Sequence, residues 1–234
     1  MSASPCPVVT IDGPSGSGKG TISRAVARHA GWHLLDSGAL YRLVALAGAT
    51  AGLPPDDVAA HAALARAMRV EFGWTASGEE QVRLEGRDVS ADIRSETAGA
   101  GASRVAAWPE VRAALLARQR AFAQAPGLVA DGRDMGTVVF PQADLKIFLT
   151  ATPEERALRR YKQLKDKGSD VSLAALSREI AERDLRDQTR QVAPLRPAAE
   201  AVQLDSTGLN IEAVVARVLE LGVARRLWPR GRSL

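Results

Sequence analysis

The nine residues from Gly13 to Thr21, GPSGSGKGT, constrain this chain more than any other stretch. An apolar run, PVVTI, leads to Asp12 just before them. Just after, Lys19 to Ala30 carries apolar side chains at Ile22, Val26 and Ala30 with basic residues between, the spacing of an amphipathic helix. A buried strand, a glycine-rich turn and a helix in this order form an anion site. Glycine lets the backbone curl round a phosphate in conformations closed to other residues. Consecutive N–H groups then converge where the helix dipole also favours negative charge. Gly13, Pro14, Ser15, Gly16, Ser17, Gly18 and Gly20 supply that wrap, and Lys19 adds a mobile point charge for the β- and γ-phosphates of a nucleoside triphosphate. Generic loops of this kind read G-x-x-x-x-G-K-[ST]. Here Gly20 follows the lysine, so a hydroxyl to face Mg²⁺ arrives one residue late, at Thr21.

Four more apolar runs extend the pattern: WHLL before Asp36, GLVA before Asp131, LKIFLTA ending at Ala151, and AVQL before Asp205. With helical segments between them they predict an α/β fold, a five-stranded parallel sheet with helices on both faces. Ligands of such sheets sit outside the carboxyl ends of the strands. This sequence puts Asp12-Gly, Asp36-Ser, Asp131-Gly and Asp205-Ser there. Pro109 to Ala125 reads as a long basic helix that opens on proline. Pro153 to Lys167 reads as another, with Thr152 and Glu155 spaced as a capping box. Ile211 to Leu221 predicts a last helix that stops at Gly222.

From Val70 to Ser90 the period is two, around turn signals at Ser77-Gly78 and Glu85-Gly86, which predicts a small antiparallel β insertion on the acceptor side. A highly charged stretch from Asp166 to Arg190 reads as a short helical lid, with a solvated surface helix as the alternative. The expected organisation is one domain with its core in residues 5–50, 105–165 and 191–222, an insertion at 51–104, a lid at 166–190, and a frayed basic tail at 223–234 without assigned function.

Composition limits the function classes. An apolar fraction of 46% and a charged fraction of 25% are ordinary for a globular protein, and Cys6 alone supports neither a disulfide nor a cysteine metal cluster. No apolar run approaches the roughly 20 residues of a membrane span. The start, MSASPCPVVT, lacks the basic region and apolar run of a secretory signal, so a cytoplasmic location is expected. A net charge of +4 raises the question of nucleic acid, but only 4% of residues are aromatic, too few for stacking platforms. Small polyanions are the expected partners, with neither nucleic acid nor membrane among them.

Other charged groups collect near the strand ends. Ser37 is placed to cap a helix after Asp36, with Tyr41 and Arg42 one turn on, and an arginine there can clamp a phosphate with two parallel bonds. The run Asp131-Gly-Arg-Asp-Met-Gly136 follows GLVA. Asp131 is placed to hold the water shell of Mg²⁺, Arg133 is a second clamp, and Asp134 can meet an exocyclic amine; salt bridges among them are the alternative. Arg183, Asp187 and Arg190 stand at i, i+4 and i+7, one face of a helix. That face is either a self-paired surface stripe or a lid face that brings cations onto transferring phosphates.

Taken in order, VVTIDGPSGSGKGT, LLDSGALYR, DVSADIR, SRVAAWPEVR, ADGRDMGTVVFP, ERDLRD and VQLDST resemble bacterial-type cytidylate kinases over nearly the whole chain. These belong to the P-loop nucleoside monophosphate kinases, which the GKGT ending of the loop also resembles. The resemblance implies phosphorylation of CMP and dCMP by ATP with Mg²⁺, by in-line transfer and in a monomer. It implies that Gly13 to Thr21 hold the ATP phosphates, that Ser37, Arg42, Arg133 and Arg190 surround the CMP phosphate, and that Ser103, Arg112 and Asp134 read cytosine. Tyr41, Arg183 and Asp187 would hold the sugar, and Arg94 falls in a matching stretch. Arg156, Arg159 and Arg160 resemble the start of a lid helix on the ATP side, with Arg156 and Arg160 the chosen contacts. Lys19, Arg133, Arg183 and Arg190 would converge on the transferring phosphoryl, and Thr21 and Asp131 would serve the metal, through water. A P-loop kinase for another nucleoside monophosphate is the alternative.

Overall fold

The computed structural model describes residues 6–75, 80–166, 168 and 170–229. They form two compact units, Met1–Asp36 with Gln119–Leu234, and Ser37–Arg118.

The first unit is built on the expected parallel sheet. Its strands are β1 (Val8–Asp12), β2 (His33–Asp36), β6 (Leu128–Gly132), β7 (Leu145–Thr150) and β8 (Val202–Asp205), in the order β2-β6-β1-β7-β8. β1 lies between β6 and β7 and is buried along its whole length, which is why its residues read as a continuous apolar run. Val9 and Ile11 turn toward α1 (Lys19–Ala30) and α8 (Ile211–Ala224), where they meet Val26, Val215 and Val218 in the main core. Thr10, of the other parity, faces Gly136 in a π-helical turn, Met135–Val139. The register brings Asp36 beside Asp131 and Asp12 beside Gly132, so three carboxylates end adjacent strands at the carboxyl edge.

The remaining helices of this unit are α6 (Pro153–Asp166) and α7 (Leu173–Thr189), packed on each other. Half of the expected capping box forms: the Glu155 N–H donates to Thr152 Oγ1 at 3.3 Å, while the Glu155 carboxylate pairs instead with Arg159, one turn on. The shared face of Arg183, Asp187 and Arg190 stops at Asp187. Arg190 lies beyond the helix in extended backbone, where its N–H caps the Arg186 carbonyl.

The second unit holds α2 (Ser37–Thr50), α3 (Val58–Ala67), an antiparallel sheet of β3 (Val70–Trp74), β4 (Glu80–Leu84) and β5 (Arg87–Asp88), then α4 (Glu96–Val105) and most of α5 (Pro109–Arg120). The helix starts at Ser37 itself, which is its first residue and not a cap before it. The Glu85-Gly86 turn is present with both φ values positive, 50° and 81°, the turn that suits a two-residue hairpin. Ser77-Gly78 lies outside the described residues. Small residues let α2 draw close to its neighbours: a side chain at Gly101 would meet Ala45 Cβ at 2.8 Å, and one at Gly48 would meet the buried His61 ring at 2.3 Å. His61 is fixed there by Nδ1, 2.7 Å from the Asp57 carbonyl, and by an edge contact with Trp108.

Two helix ends differ from expectation. α5 stops at Arg120 rather than Ala125; residues 121–124 turn ahead of Pro126, before which helical backbone is disfavoured. α6 is helical to Asp166, and the expected last residue, Lys167, lies outside the described residues. α8 runs through Gly222 to Ala224. The reason for the last is packing: a Cβ on Gly222 would stand 1.8 Å from the Trp228 ring, so glycine there makes room for tryptophan instead of ending the helix. The start of the tail is therefore not frayed. Trp228 is 8% exposed, donates from Nε1 to the Leu219 carbonyl at 3.1 Å, and meets Trp32 edge to face. Trp228→Ala is expected to destabilise the chain by about 3 kcal/mol, as for other buried aromatic truncations. Calorimetric melting checks this, and an unchanged midpoint would show the tail to be peripheral.

Candidate active site

The loop between β1 and α1 takes the shape its glycines allow. A side chain at Gly13 would strike the Leu149 carbonyl oxygen of β7 at 2.1 Å. Gly18 precedes the helix with φ 89°, in the left-handed region that costs other residues free energy. The position after the lysine has a reason too. The nearest atom to a Cβ on Gly20 would be Asp131 Oδ2, at 3.2 Å. The Asp131 carboxylate thus rests against the first turn of α1, in space that a serine or threonine at position 20 would fill. Thr21, the next residue, is exposed.

Lys19 is buried, with Nζ donating to the Pro14 carbonyl at 3.0 Å. Its ammonium is lowered to about 7, by burial first and then by the Arg133 guanidinium, with the Asp131 and Asp187 carboxylates acting the other way. Asp131 is pushed up to about 6 by burial, against the pull of Lys19. Asp12 is raised to about 7 by burial even though the Met135 and Gly136 N–H groups both donate to it at 2.8 Å. That pair of hydrogen bonds anchors the π-helical turn to the end of β1. A buried lysine whose ammonium is disfavoured by desolvation and by Arg133 and Arg183 suits a site that receives an anion.

The Asp131-to-Gly136 run and α7 are cross-paired. Arg133 Nε donates to Asp187 at 2.8 Å, and Arg190 lies 3.7 Å from Asp134. Desolvation would lower Arg133, but the Asp187, Asp131 and Asp184 carboxylates together more than offset it and hold the guanidinium above its ordinary value. Asp187 is raised by burial yet ends below the usual carboxylate range because of Arg133. Both pairs join the Asp131-to-Gly136 run to residues of the charged segment, and Asp187 also feels Arg183 of its own helix. Arg183 is half-buried, and its charge acts on both Lys19 and Asp187.

The α6 arginines differ. Arg156 is buried; it donates to the Ala151 carbonyl at 3.0 Å, to the Ser15 carbonyl at 3.0 Å, and through both terminal nitrogens to Asp184 of α7. Arg159 reaches Ser17 and Ser206. Arg160 bonds Gln163 at the surface. Asp184 and Ser206 escaped the sequence reading because each signals only through its partner; Ser206 does lie in VQLDST, just past the end of β8.

Within the second unit, the Arg112 guanidinium lies 5.7 Å from the centre of the Tyr41 ring and donates to the Ala106 carbonyl. Arg42 donates to the Ile93 carbonyl at 2.8 Å, and Arg94 pairs with Glu80 at the surface. Ser37 is buried. Ser103 Oγ is buried and has no hydrogen-bond partner among the described residues.

No described cluster of three or more His, Cys, Asp or Glu residues is arranged to hold a metal. A nucleotide-bound Mg²⁺ needs no such cage, since one or two carboxylates, the phosphates and water complete its shell. Asp131, buried against the first turn of α1, is a carboxylate of that kind, whereas Thr21 is exposed.

The bidentate Arg156–Asp184 pair, with side chains 4% and 13% exposed, joins α6 to α7. Removing one partner of a buried pair strands the other, so Asp184→Ala should cost about 3 kcal/mol. A melting midpoint within about 2 °C of the parent would contradict this.

The sequence profile of the cytidylate kinase family matches residues 9–223. The chain is 61% identical to the cytidylate kinase of Stutzerimonas stutzeri (strain A1501), over 92% of this chain and 94% of that protein. It is 60% identical to the cytidylate kinase of Pseudomonas entomophila (strain L48), over 92% and 95%. A solved shikimate kinase from Acinetobacter baumannii, in complex with shikimate, is similar at 16% identity over 95% of this chain and 96% of that one, with a TM-score of 0.45. With its buried Lys19 under a glycine-rich loop and a family match across nearly its whole length, this chain belongs to the cytidylate kinase family.

Proposed function

We propose that the chain transfers the γ-phosphoryl group of ATP to CMP and dCMP, giving ADP with CDP or dCDP. The match to cytidylate kinases over residues 9–223 is the observation that carries the acceptor. The loop geometry supports the donor. Phosphoryl transfer asks the protein for alignment and charge neutralisation more than for covalent chemistry, and no general base is invoked. Gly13 to Thr21 bind the ATP phosphates, with Lys19 on the β- and γ-oxygens. Arg160 serves the donor side, and Arg156 does so by bonding the loop from behind. Mg²⁺, with Asp131 and Thr21 on its water shell, would neutralise charge on the phosphate oxygens.

On the acceptor side, Ser37, Arg42, Arg133 and Arg190 hold the CMP phosphate, and Tyr41, Arg183 and Asp187 hold the sugar; Arg94 belongs to the same group. Ser103, Arg112 and Asp134 read cytosine. The unpartnered buried hydroxyl of Ser103 supports that role, since a buried polar atom without a partner costs free energy until a ligand supplies one. Arg133, Arg183 and Arg190 join Lys19 on the transferring group. Residues 51–104 are the acceptor insertion and 166–190 the lid, in a cytoplasmic monomer whose partners are ATP and CMP or dCMP. Among the described residues no helix is long and apolar enough to cross a membrane.

A coupled ADP-release assay across the nucleoside monophosphates should give its highest kcat/KM with CMP or dCMP; faster turnover with AMP or dTMP would sink the assignment. Lys19→Ala should lower kcat by at least about 100-fold, as loss of a preorganised charge does elsewhere. Retention of most of the parent rate would remove Lys19 from the chemistry. Asp134→Ala should mainly relax base choice, seen as a smaller CMP-to-UMP ratio of kcat/KM, and an unchanged ratio would be a contrary result.

A further inference from the structure

A peptide unit is planar and trans, so its N–H and C=O point in opposite directions. A loop that offers N–H groups to phosphate therefore turns the partner carbonyls into the protein, where they need donors. Here those donors are side chains. Pro14 O accepts from Lys19 Nζ and from Ser17 Oγ, both at 3.0 Å. Ser15 O accepts from Arg156 at 3.0 Å, and Ser17 O accepts from Arg159 Nη1 at 3.3 Å. Ser17 O shares its peptide with Gly18 N–H, the last amide before α1.

Arg159 is itself held on three sides. Nε donates to Glu155 at 2.9 Å, Nη1 donates to Ser206 Oγ at 3.0 Å, and Nη2 donates to Ser206 O at 2.6 Å. Ser206 is 1% exposed; its hydroxyl donates to the Thr150 carbonyl at 2.9 Å, with Ser17 O 3.3 Å away. The residue after β8 thus fixes the guanidinium, and the guanidinium fixes a loop carbonyl. A cation on that carbonyl also polarises the peptide and strengthens the N–H on its other end.

We propose that Arg159, oriented by Ser206, is a positioning residue for the donor's phosphate chain: it holds the Ser17–Gly18 peptide so that Gly18 N–H is presented to a phosphate oxygen. This rests on the reading of the loop as the donor site. Arg159 acts through the loop and does not touch the nucleotide. The fork matters more than the charge, because one guanidinium spans Ser17, Ser206 and Glu155 at once and an ammonium cannot.

The test is calorimetric titration of ADP with Mg²⁺, and separately of CMP, into the full chain and its variants. Arg159→Ala should weaken ADP about tenfold, the size expected for one charge-assisted hydrogen bond, and leave CMP affinity unchanged. Arg159→Lys should stay close to Arg159→Ala. Ser206→Ala should weaken ADP by a smaller factor and add nothing to Arg159→Ala in the double variant, since one acts through the other. Unchanged ADP affinity in Arg159→Ala, full rescue by lysine, or additive losses would each overturn the proposal. If Arg159→Ala does not fold, Ser206→Ala decides: ADP weakened with CMP unmoved supports it, and ADP unmoved refutes it. Lys19→Ala serves as reference. If it too leaves ADP affinity unmoved, the loop is not the donor site and the parent reading fails; if it alone weakens ADP, only the role of Arg159 fails.

Discussion

The carbonyls behind the phosphate loop set the terms for the rest of the first unit. A backbone folded to present amides to an anion leaves oxygens with no helix or strand partner, and buried oxygens of that kind are costly. Helix α6 answers with Arg156 on Ser15 and Arg159 on Ser17. Helix α7 then supplies Asp184 to Arg156 and Asp187 to Arg133. The charged segments that follow β7 are therefore part of the scaffold of the loop. They are joined to the glycine loop through the Ser15 and Ser17 carbonyls.

The same economy governs charge. Burial disfavours the ionised forms of Lys19, Asp131 and Asp12, and in this conformation their neighbours offset only part of that cost. We propose that an incoming triphosphate with its metal would supply the compensation. A site held in this way has its dipoles and charges set before the substrate arrives, which is the condition under which electrostatics lowers a barrier without reorganisation. Gly20 serves that arrangement by leaving room for the Asp131 carboxylate beside α1.

Much of the sheet was legible because each of its strands is a short apolar run closed by a polar signal, and the glycine loop fixed where the first βα unit begins. The antiparallel insertion showed through its period of two. What escaped the sequence was decided by contacts between distant residues. Gly222 looks like a stop and is instead the floor under Trp228; Arg190 keeps the spacing of α7 but has left the helix. At the site, Lys19, Asp131 and Arg133 stand out by composition. Asp12, Asp184 and Ser206 do not, since an aspartate or serine at the end of an element usually caps or solvates it. Their significance lies in what they hold: the π-helical turn, Arg156 and Arg159.

We propose that one chain binds ATP through the glycine loop and CMP through the arginine and serine set at the same time. The most direct measurement is calorimetric affinity for adenosine–cytidine pentaphosphate, in which five phosphates join the two nucleosides, beside the corresponding diadenosine compound. Linking two ligands makes the second binding step intramolecular, and affinity rises only when both sites are engaged. The mixed compound should bind far more tightly than either ATP or CMP and more tightly than the diadenosine analogue. Equal affinity for the two linked compounds, or no gain over ATP alone, would contradict it.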